Sequence, residues 1–387
     1  MRDNADTRIQ IQWANSLLRG SAYENHDVLG TMADIKAITP DGLRKFYASW
    51  HNPAMVDVVV VGDFDVKQME VALRHILSEA PMGDKTQPRP FFVVPERDTL
   101  NYCVATDKAK QGETAMIANL IRDTPEAQKS SAKYLVENVI SHMINIMGAT
   151  RMSQISREQG SPFARASLAA MPLKRGYFTY QIGAGIGQPG NESRAVRMLL
   201  LEYERLKQVG FTQAEFDKAK AQMLRDNEQS TFVSKTNDEV AKMLEQHFLE
   251  GEPIVDFKAL YPYERAVLDT LSLASVNALM RSWSTDKNMS VIITGPDGLD
   301  YPSKQDVLDI FDQVKKINYK GFAFELKPEA PLPEFSASPK PGRIKEEVVD
   351  KTNNTTTWKL ADGATVIYKQ VPEDRSRVCL RAVRPGG

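Results

Sequence analysis

The chain has 387 residues, 42% hydrophobic and 26% charged, and its 49 basic side chains against 50 acidic ones leave a net charge of -1. That length exceeds what one ordinary core fills and points to two or more domains, while the composition is that of a folded globular protein. The even charge balance excludes the basic footprint of a nucleic-acid binder, and no apolar run approaches the roughly 18 residues of a membrane span. The polar start, Met1-Arg2-Asp3-Asn4, lacks the apolar core of a signal peptide.

In chain order, the pattern predicts a helix over residues 6–18 and a loop at Gly20-Ser21. A second helix follows over 40–49, with Leu43, Phe46 and Tyr47 on one face. A β run over 56–61 closes at Gly62-Asp63. An amphipathic helix over 66–80 then carries Met69, Leu73, Ile76 and Leu77. Residues 81–95, with four prolines, read as an inter-domain linker. Strands are expected over 101–106 and 113–121. A long helix is expected to start at Thr124-Pro125, where Thr suits the cap and Pro the first turn, and to reach Met147.

Two alternating strands, 163–171 and 176–185, precede helices over 192–209 and 213–229. Further helices lead to a strand over 289–294 that ends at Gly295-Pro296. A second proline-rich linker covers 327–342 and reads as a stiff spacer. After it, 355–370 reads as a hairpin turning at Asp362-Gly363, and 377–383 as an alternating strand.

The chain repeats itself. Ser49-Trp50, a β run and Gly62 recur as Ser282-Trp283, a β run and Gly295, both pairs 233 residues apart. Val58, Val59 and Val60 fall opposite Val291, Ile292 and Ile293, and Leu43 and Phe46 opposite Val276 and Leu279. Chance recurrence of a helix–strand–Gly unit is the competing reading; the ungapped match favours duplication. The second copy has about 180 residues between its first strand and Trp283, whereas Trp50 has 49 residues before it. The first copy is therefore expected to lack a large N-terminal part, and the hairpin after Gly342 to open a third copy.

Several segments resemble the insulinase/pitrilysin zinc metallopeptidases. Leu43-Arg44-Lys45-Phe46-Tyr47 with His51-Asn52-Pro53-Ala54-Met55 and residues 58–63 resembles one conserved stretch of that family. Residues 151–157 followed by Glu158-Gln159-Gly160-Ser161-Pro162-Phe163-Ala164 resemble a second, from its second lobe. Gly210-Phe211-Thr212-Gln213-Ala214-Glu215-Phe216 running into Lys218-Ala219-Lys220 resembles a third, and Leu360-Ala361-Asp362-Gly363 the hairpin that opens a lobe.

The resemblance implies an α+β fold of repeated lobes, each an antiparallel sheet packed by helices, like the mitochondrial processing peptidase. It implies residues 1–95 as the end of a catalytic-type lobe, 96–326 as a non-catalytic lobe, 327–343 as linker and 344–387 as the start of a third lobe. It also implies a zinc peptidase that encloses a peptide or small protein. In that family two histidines of an HxxEH helix bind Zn²⁺ and the adjacent Glu activates water.

This chain departs from that pattern. His26, His51, His75, His142 and His247 include no pair four apart, and neither HxxEH nor HExxH occurs. No catalytic or metal-binding residue is assigned in this chain and its substrate-binding residues stay unassigned. Zinc is expected in the parent protein and not here. Asn138, Ser141 and His142 sit at the spacing of a degraded motif, but without a second imidazole or carboxylate they form no zinc set. His51 reads as a loop residue, and Glu245, Glu250 and Glu252 around His247 as a solvated helix end.

Gly183-Ala184-Gly185-Ile186-Gly187 lacks the Lys-Ser/Thr step and the acidic partner of nucleotide sites, so it reads as a strand-end loop. Tyr261, Tyr263 and Arg265 read as a surface helix start, with substrate contact as the alternative. Cys103 and Cys379 read as free thiols, a single long-range disulfide being the alternative. Expected partners are the remaining lobes of the same polypeptide or a homologous subunit, with a bacterial envelope location by analogy. A catalytically inactive scaffold, as in the core subunits of respiratory complexes, and an accessory subunit of an active homologue remain the alternative functions.

Overall fold

The computed structural model describes residues 4–26, 30–79, 90–230, 235–321, 323–328, 342–370 and 379–383. The chain divides into two compact units, one of residues 1–224 and 236–326 and one of residues 225–235 and 327–387.

The first unit opens with helix α1 (Ala5–Leu17), capped by the Asn4 side chain, which accepts from the Asp6 amide. Helices α2 (Met32–Ala37), α3 (Pro40–Trp50) and α4 (Val66–Ser78) follow, capped by Thr31, Thr39 and Asp65. None of these three helices buries a residue. Strands β1 (Asn101–Thr106) and β2 (Thr114–Arg122) lead to the long helix α5 (Ala132–Ser156). Then come β3 (Phe163–Lys174), β4 (Tyr177–Ile186), α6 (Glu192–Gln208) and α7 (Gln213–Ser230). Helices α8 (Asn237–Glu250), α9 (Phe257–Thr270) and α10 (Leu273–Trp283), strand β5 (Met289–Gly295) and helix α11 (Lys304–Lys315) complete the unit.

Five strands form one sheet in the order β1-β5-β2-β4-β3. β1 runs parallel to β5 and every other pairing is antiparallel. The last strand in sequence thus becomes the second in space, and all seven of its residues are buried. The period of two divides them between faces. Val291 and Ile293 enter the main core with Met143, Ile144 and Met147 of α5 and Leu199 and Leu200 of α6, while Ile292 joins Leu17 and Leu18 at the end of α1. Burial on both faces explains the unbroken Val-Ile-Ile run. Arg97 fastens α1 to the sheet, its guanidinium donating to the Ser16 and Leu17 carbonyls at 2.9 and 2.8 Å. Two orphan acceptors at the helix end are satisfied in this way.

One ion-pair network crosses the helical layer. Arg151 of α5 is wholly buried; its Nε and Nη2 donate to Glu215 at 2.7 and 2.6 Å and its Nη1 to Glu202 of α6 at 2.8 Å. Phe211 and Phe324 hold the guanidinium between their rings, with centroids 4.9 and 4.6 Å away. The same Glu215 carboxylate accepts from the Thr212 amide and hydroxyl ahead of α7. Gly210, in the turn between α6 and α7, has φ +86°, and a Cβ there would fall 2.6 Å from Asn277, whose side chain bonds the Phe211 amide and carbonyl.

The second unit holds a three-stranded antiparallel sheet, β6 (Ile344–Asp350), β7 (Thr355–Leu360) and β8 (Thr365–Lys369), in that order. β7 and β8 are the expected hairpin, turning at Asp362 and a Gly363 with φ +93°. Trp358 stacks on Tyr368 across them at 6.0 Å.

The architecture is the expected α+β one, sheets dominated by antiparallel pairs and packed by helices. Several local expectations are corrected. α5 starts behind Ser131, not Thr124, because Pro125 leads into a separate short 3₁₀ turn at Glu126–Gln128, and it runs nine residues beyond Met147. β6 was not expected; its Glu346, Glu347 and Asp350 mask the alternation. The run 56–61, expected as a strand, forms none and pairs with no described strand, and its Val56 amide instead donates to the Pro53 carbonyl at 3.2 Å. The expected linker over 81–95 and the spacer over 327–342 fall largely outside the described residues, while the strand expected over 377–383 is not formed by its described residues 379–383.

Replacing Arg151 by Met is expected to lower unfolding free energy by about 3–5 kcal/mol, because two buried carboxylates lose their cation. Urea denaturation of the two proteins measures it.

Candidate functional site

The five histidines are all exposed and lie on separate elements. His51 caps the end of α3 and stacks on Tyr47 with centroids 4.3 Å apart; His75 and His247 stand in the last turns of α4 and α8. His142 stands on α5 with Asn138 one turn before it, both exposed. An amide, a hydroxyl and one imidazole are not a zinc donor set, and among the described residues no group of three or more His, Cys, Asp and Glu side chains is placed to hold a metal ion. The residues present therefore do not fit the zinc that the resemblance implies for the parent protein.

The acidic end of α8 is not simply solvated. Glu252 accepts from the Lys129 ammonium at 2.7 Å and from the Tyr134 hydroxyl at 2.8 Å, and Asp123 lies 3.1 Å from the same ammonium. Burial alone would lower the Lys129 ammonium, but Glu252 and Asp123 reverse that and hold it above its usual range. Burial, with help from Glu252, pushes Tyr134 up to about 12. The His247 ring meets the Glu252 carbonyl at 2.6 Å, across a Gly251 with φ +70°. A Cβ on Gly251 would fall 2.1 Å from Glu126. These groups clamp the α8 end to the start of α5; they bind the protein to itself.

Tyr263 belongs to the same junction, its hydroxyl donating to the Ala132 carbonyl at 3.3 Å. Arg265 faces Asp269 at 4.0 Å. The glycine run 183–187 is a correction: Gly183 and Gly185 lie within β4, paired with Met116 and Thr114 of β2 and with Ser167 and Arg165 of β3. Both cysteines are free thiols, Cys379 exposed and Cys103 half-buried. Cys103 lines a polar cavity of about 420 Å³ with Gln12, Arg19, Glu24 and Tyr102, and burial pushes its thiol up, away from the reactive thiolate.

Spacing along the chain did not reveal one constellation. Glu113, just before β2, meets Glu192 at the start of α6, and both are buried. The Glu192 carboxylate accepts from the Gly190 amide at 2.8 Å. Burial, then the hydrogen bond to Glu192 and its charge, raises Glu113 to about 7. Backbone bonds and the Glu113 proton outweigh burial at Glu192 and lower it. Two carboxyls brought this close in a buried setting disfavour double ionisation, and the penalty falls on Glu113. Gly295 is needed beside them, since a Cβ would fall 2.2 Å from the Tyr301 hydroxyl and 2.9 Å from Glu113. The residues are 79 positions apart, so only the fold joins them.

With this geometry in hand, comparison with known proteins gives a consistent class. Residues 37–223 match the Peptidase M16 inactive domain family. The chain is 23% identical over 386 residues to a probable zinc protease, PqqL, of Haemophilus influenzae, covering 96% of this chain and 40% of that protein. It shares its fold with the periplasmic protease PqqL of Escherichia coli, at a TM-score of 0.71 and 16% identity, over 96% of this chain and 41% of that one. It likewise shares it with the ferredoxin protease FusC solved with Arabidopsis ferredoxin, at a TM-score of 0.72 and 14% identity, over 95% of this chain and 41% of that one. The chain is thus homologous to the PqqL zinc proteases and shares the fold of insulinase-type structures, and its residues 37–223 match an inactive domain of the M16 peptidases. It spans about 40% of the length of the PqqL relative.

Glu113 has a folded-state value above its ordinary 4.5, so its contribution to stability is complete below that value and lost as pH rises through about 7. Glu192, lowered, contributes above its ordinary value and loses that toward acid. In thermal melts the Glu113 contribution to Tm should therefore fall between about pH 4.5 and 7 and level off above that. Glu113→Gln, which keeps a neutral donor, is expected to remove that fall; an unchanged slope would exclude the pair as its source.

Proposed function

We propose that this chain is the non-catalytic, substrate-enclosing part of a zinc metallopeptidase that hydrolyses peptides or small proteins. The observation that carries the reading is the match of residues 37–223 to an inactive peptidase domain in a chain homologous to proteins named zinc proteases. Zinc, in this reading, is held by polypeptide outside these 387 residues. The absence of a zinc donor set among the described residues is compatible with that division of labour.

The chemistry of this part is steric and structural. A lobe whose helices are fastened by Arg151 and by the Lys129–Glu252 clamp presents a fixed surface, and a fixed wall around a bound chain excludes water and limits substrate size. Residues 1–95 would close a first lobe, 96–326 form the second, 327–343 link onward and 344–387 open a third. The location we propose is the bacterial periplasm, on the resemblance in fold to a periplasmic relative.

Purified residues 1–387 are expected to carry substoichiometric zinc by elemental analysis and to leave peptide substrates uncleaved. The full-length gene product should contain HxxEH ahead of residue 1 and lose peptide hydrolysis on chelation. Chelator-sensitive cleavage by the 387-residue chain alone would overturn the assignment of a non-catalytic part. A full-length product without HxxEH and without hydrolysis would replace the peptidase by a scaffold.

A further inference from the structure

Helix α1 turns a polar stripe toward the edge of the sheet. Gln12, Asn15 and Ser16, with Arg19 just past the helix end, recur at the spacing of a single helix face. All four line the cavity of about 420 Å³, whose opposite wall includes Tyr102 and Val104 of β1. β1 is an edge strand: β5 pairs with one side of it, and among the described residues no strand pairs with the other. α1 is tied across that free side at two points. The Gln12 carboxamide donates to the Thr106 carbonyl at 2.9 Å and accepts from the Thr106 amide at 3.3 Å. The Asn101 side chain donates to the Ser16 hydroxyl at 2.8 Å.

These bonds fix the direction of the backbone between them. In an extended strand the N–H and C=O of one residue point to one edge, and those of the next residue to the other. Thr106 turns both groups to Gln12, while the Asp107 amide donates to the Gly295 carbonyl across the sheet at 3.2 Å. Counting back by twos, Tyr102 and Val104 turn their amides and carbonyls to the free edge, where the cavity lies. Such a row of backbone groups is a template for an added strand. Gln12 shows the chemistry that this edge accepts, because its side-chain amide fills the Thr106 rung as the peptide group of a neighbouring strand would.

The other end of the cavity supplies charge. α1 runs opposite to β1, since Gln12 meets Thr106 and Ser16 meets Asn101, so Arg19 lies toward the start of the strand. The Arg19 guanidinium is exposed and makes no hydrogen bond or ion pair among the described residues. Arg97 stands near it, and burial together with the Arg19 charge holds the Arg97 guanidinium below its usual range. The one carboxylate lining the cavity, Glu24, already accepts from the Gly20 amide at 2.6 Å. Two guanidiniums against one carboxylate leave this end positive.

We propose that the cavity between α1 and β1 binds the last few residues of an extended peptide, antiparallel to β1, with its backbone on the Val104 and Tyr102 rungs and its free terminal carboxylate on Arg19. Strand addition supplies main-chain hydrogen bonds, and a guanidinium meets a carboxylate with two parallel bonds. The volume falls within the roughly 300–1,000 Å³ of small-ligand sites. Peptide hydrolysis generates a free carboxylate, so the occupant would be a reaction product; that extension rests on the proposed function, whereas the site itself does not.

The test titrates residues 1–387 with N-acetyl-trialanine by calorimetry and follows amide hydrogen exchange over 102–104. Saturable binding is expected, with slower exchange of the Tyr102 and Val104 amides. Affinity should fall on the order of 10-fold for the same peptide carrying a terminal amide, and equally for Arg19→Gln with the acid. Arg19→Lys should recover part of that loss, which separates a charge contact from a change of fold. Absence of saturable binding, equal affinity for acid and amide, or protection that falls outside 102–104 overturns the proposal. Acetate binding as tightly as the peptide overturns it as well, leaving an anion site. Peptide binding here in a full-length product that hydrolyses nothing would keep the site and remove the peptidase.

Discussion

The Arg151 guanidinium is the constraint around which the first unit is arranged. It reaches α5, α6 and the turn into α7 at once, and two carboxylates and a carbonyl satisfy it: Glu202, Glu215 and, at 3.3 Å, Gly210. A buried ion pair adds little net stability over an apolar core, but breaking it by removing one partner is costly. Its effect is therefore on arrangement: each helix can sit in only one rotation and one height. The turn at 210–212 is held to the same standard by Asn277, which pairs with the Phe211 backbone as a strand would. Burial raises the Glu202 carboxyl above its ordinary range, against the pull of Arg151 and Arg205, a sign of how dry this junction is.

Fixing the helices fixes the sheet they cover. α5 lies along β3, and α6 across β2 and β4, so the wide face of the sheet is shielded by the helices that Arg151 joins. β5 then enters between β1 and β2 and is enclosed on both faces and both edges. Such a strand needs its neighbours before it can form, because a lone extended segment in water exchanges backbone–water bonds for nothing. The run 56–61, with nearly the same sequence pattern, shows the converse: with no described strand paired to it, it forms no strand.

The same economy of position separates this lobe from a catalytic one. Where a zinc helix needs two imidazoles and a carboxylate on adjoining positions, α5 offers Asn138, Ser141 and His142. Its apolar face is intact, so the helix keeps its packing role. The titratable groups that are perturbed, Glu113 with Glu192 and Lys129 with Glu252, sit at element junctions and join parts of the fold to one another.

Much of this was legible along the chain. Helix and strand types follow from apolar periods of 3.6 and 2, and those periods survive in the structure because burial on one face, or on two, is what they encode. The repeat was legible as well, since a duplicated core keeps its Trp, its Gly and its apolar spacing. The motif segments around Arg151, Gly210 and Glu215 were recognisable by kind but not by purpose; 51 to 64 residues separate Arg151 from its two carboxylates, and only folding makes one buried network of them. The start of α5 was misplaced because Thr124-Pro125 and Ser131 are equally good local caps, and the choice between them depends on where Tyr134 must sit against Glu252. The insertion of β5 between β1 and β2 and the meeting of Glu113 with Glu192 were decided by tertiary structure alone. Each depends on what lies beside a residue in space, and local patterning carries information only about what lies beside it in the chain.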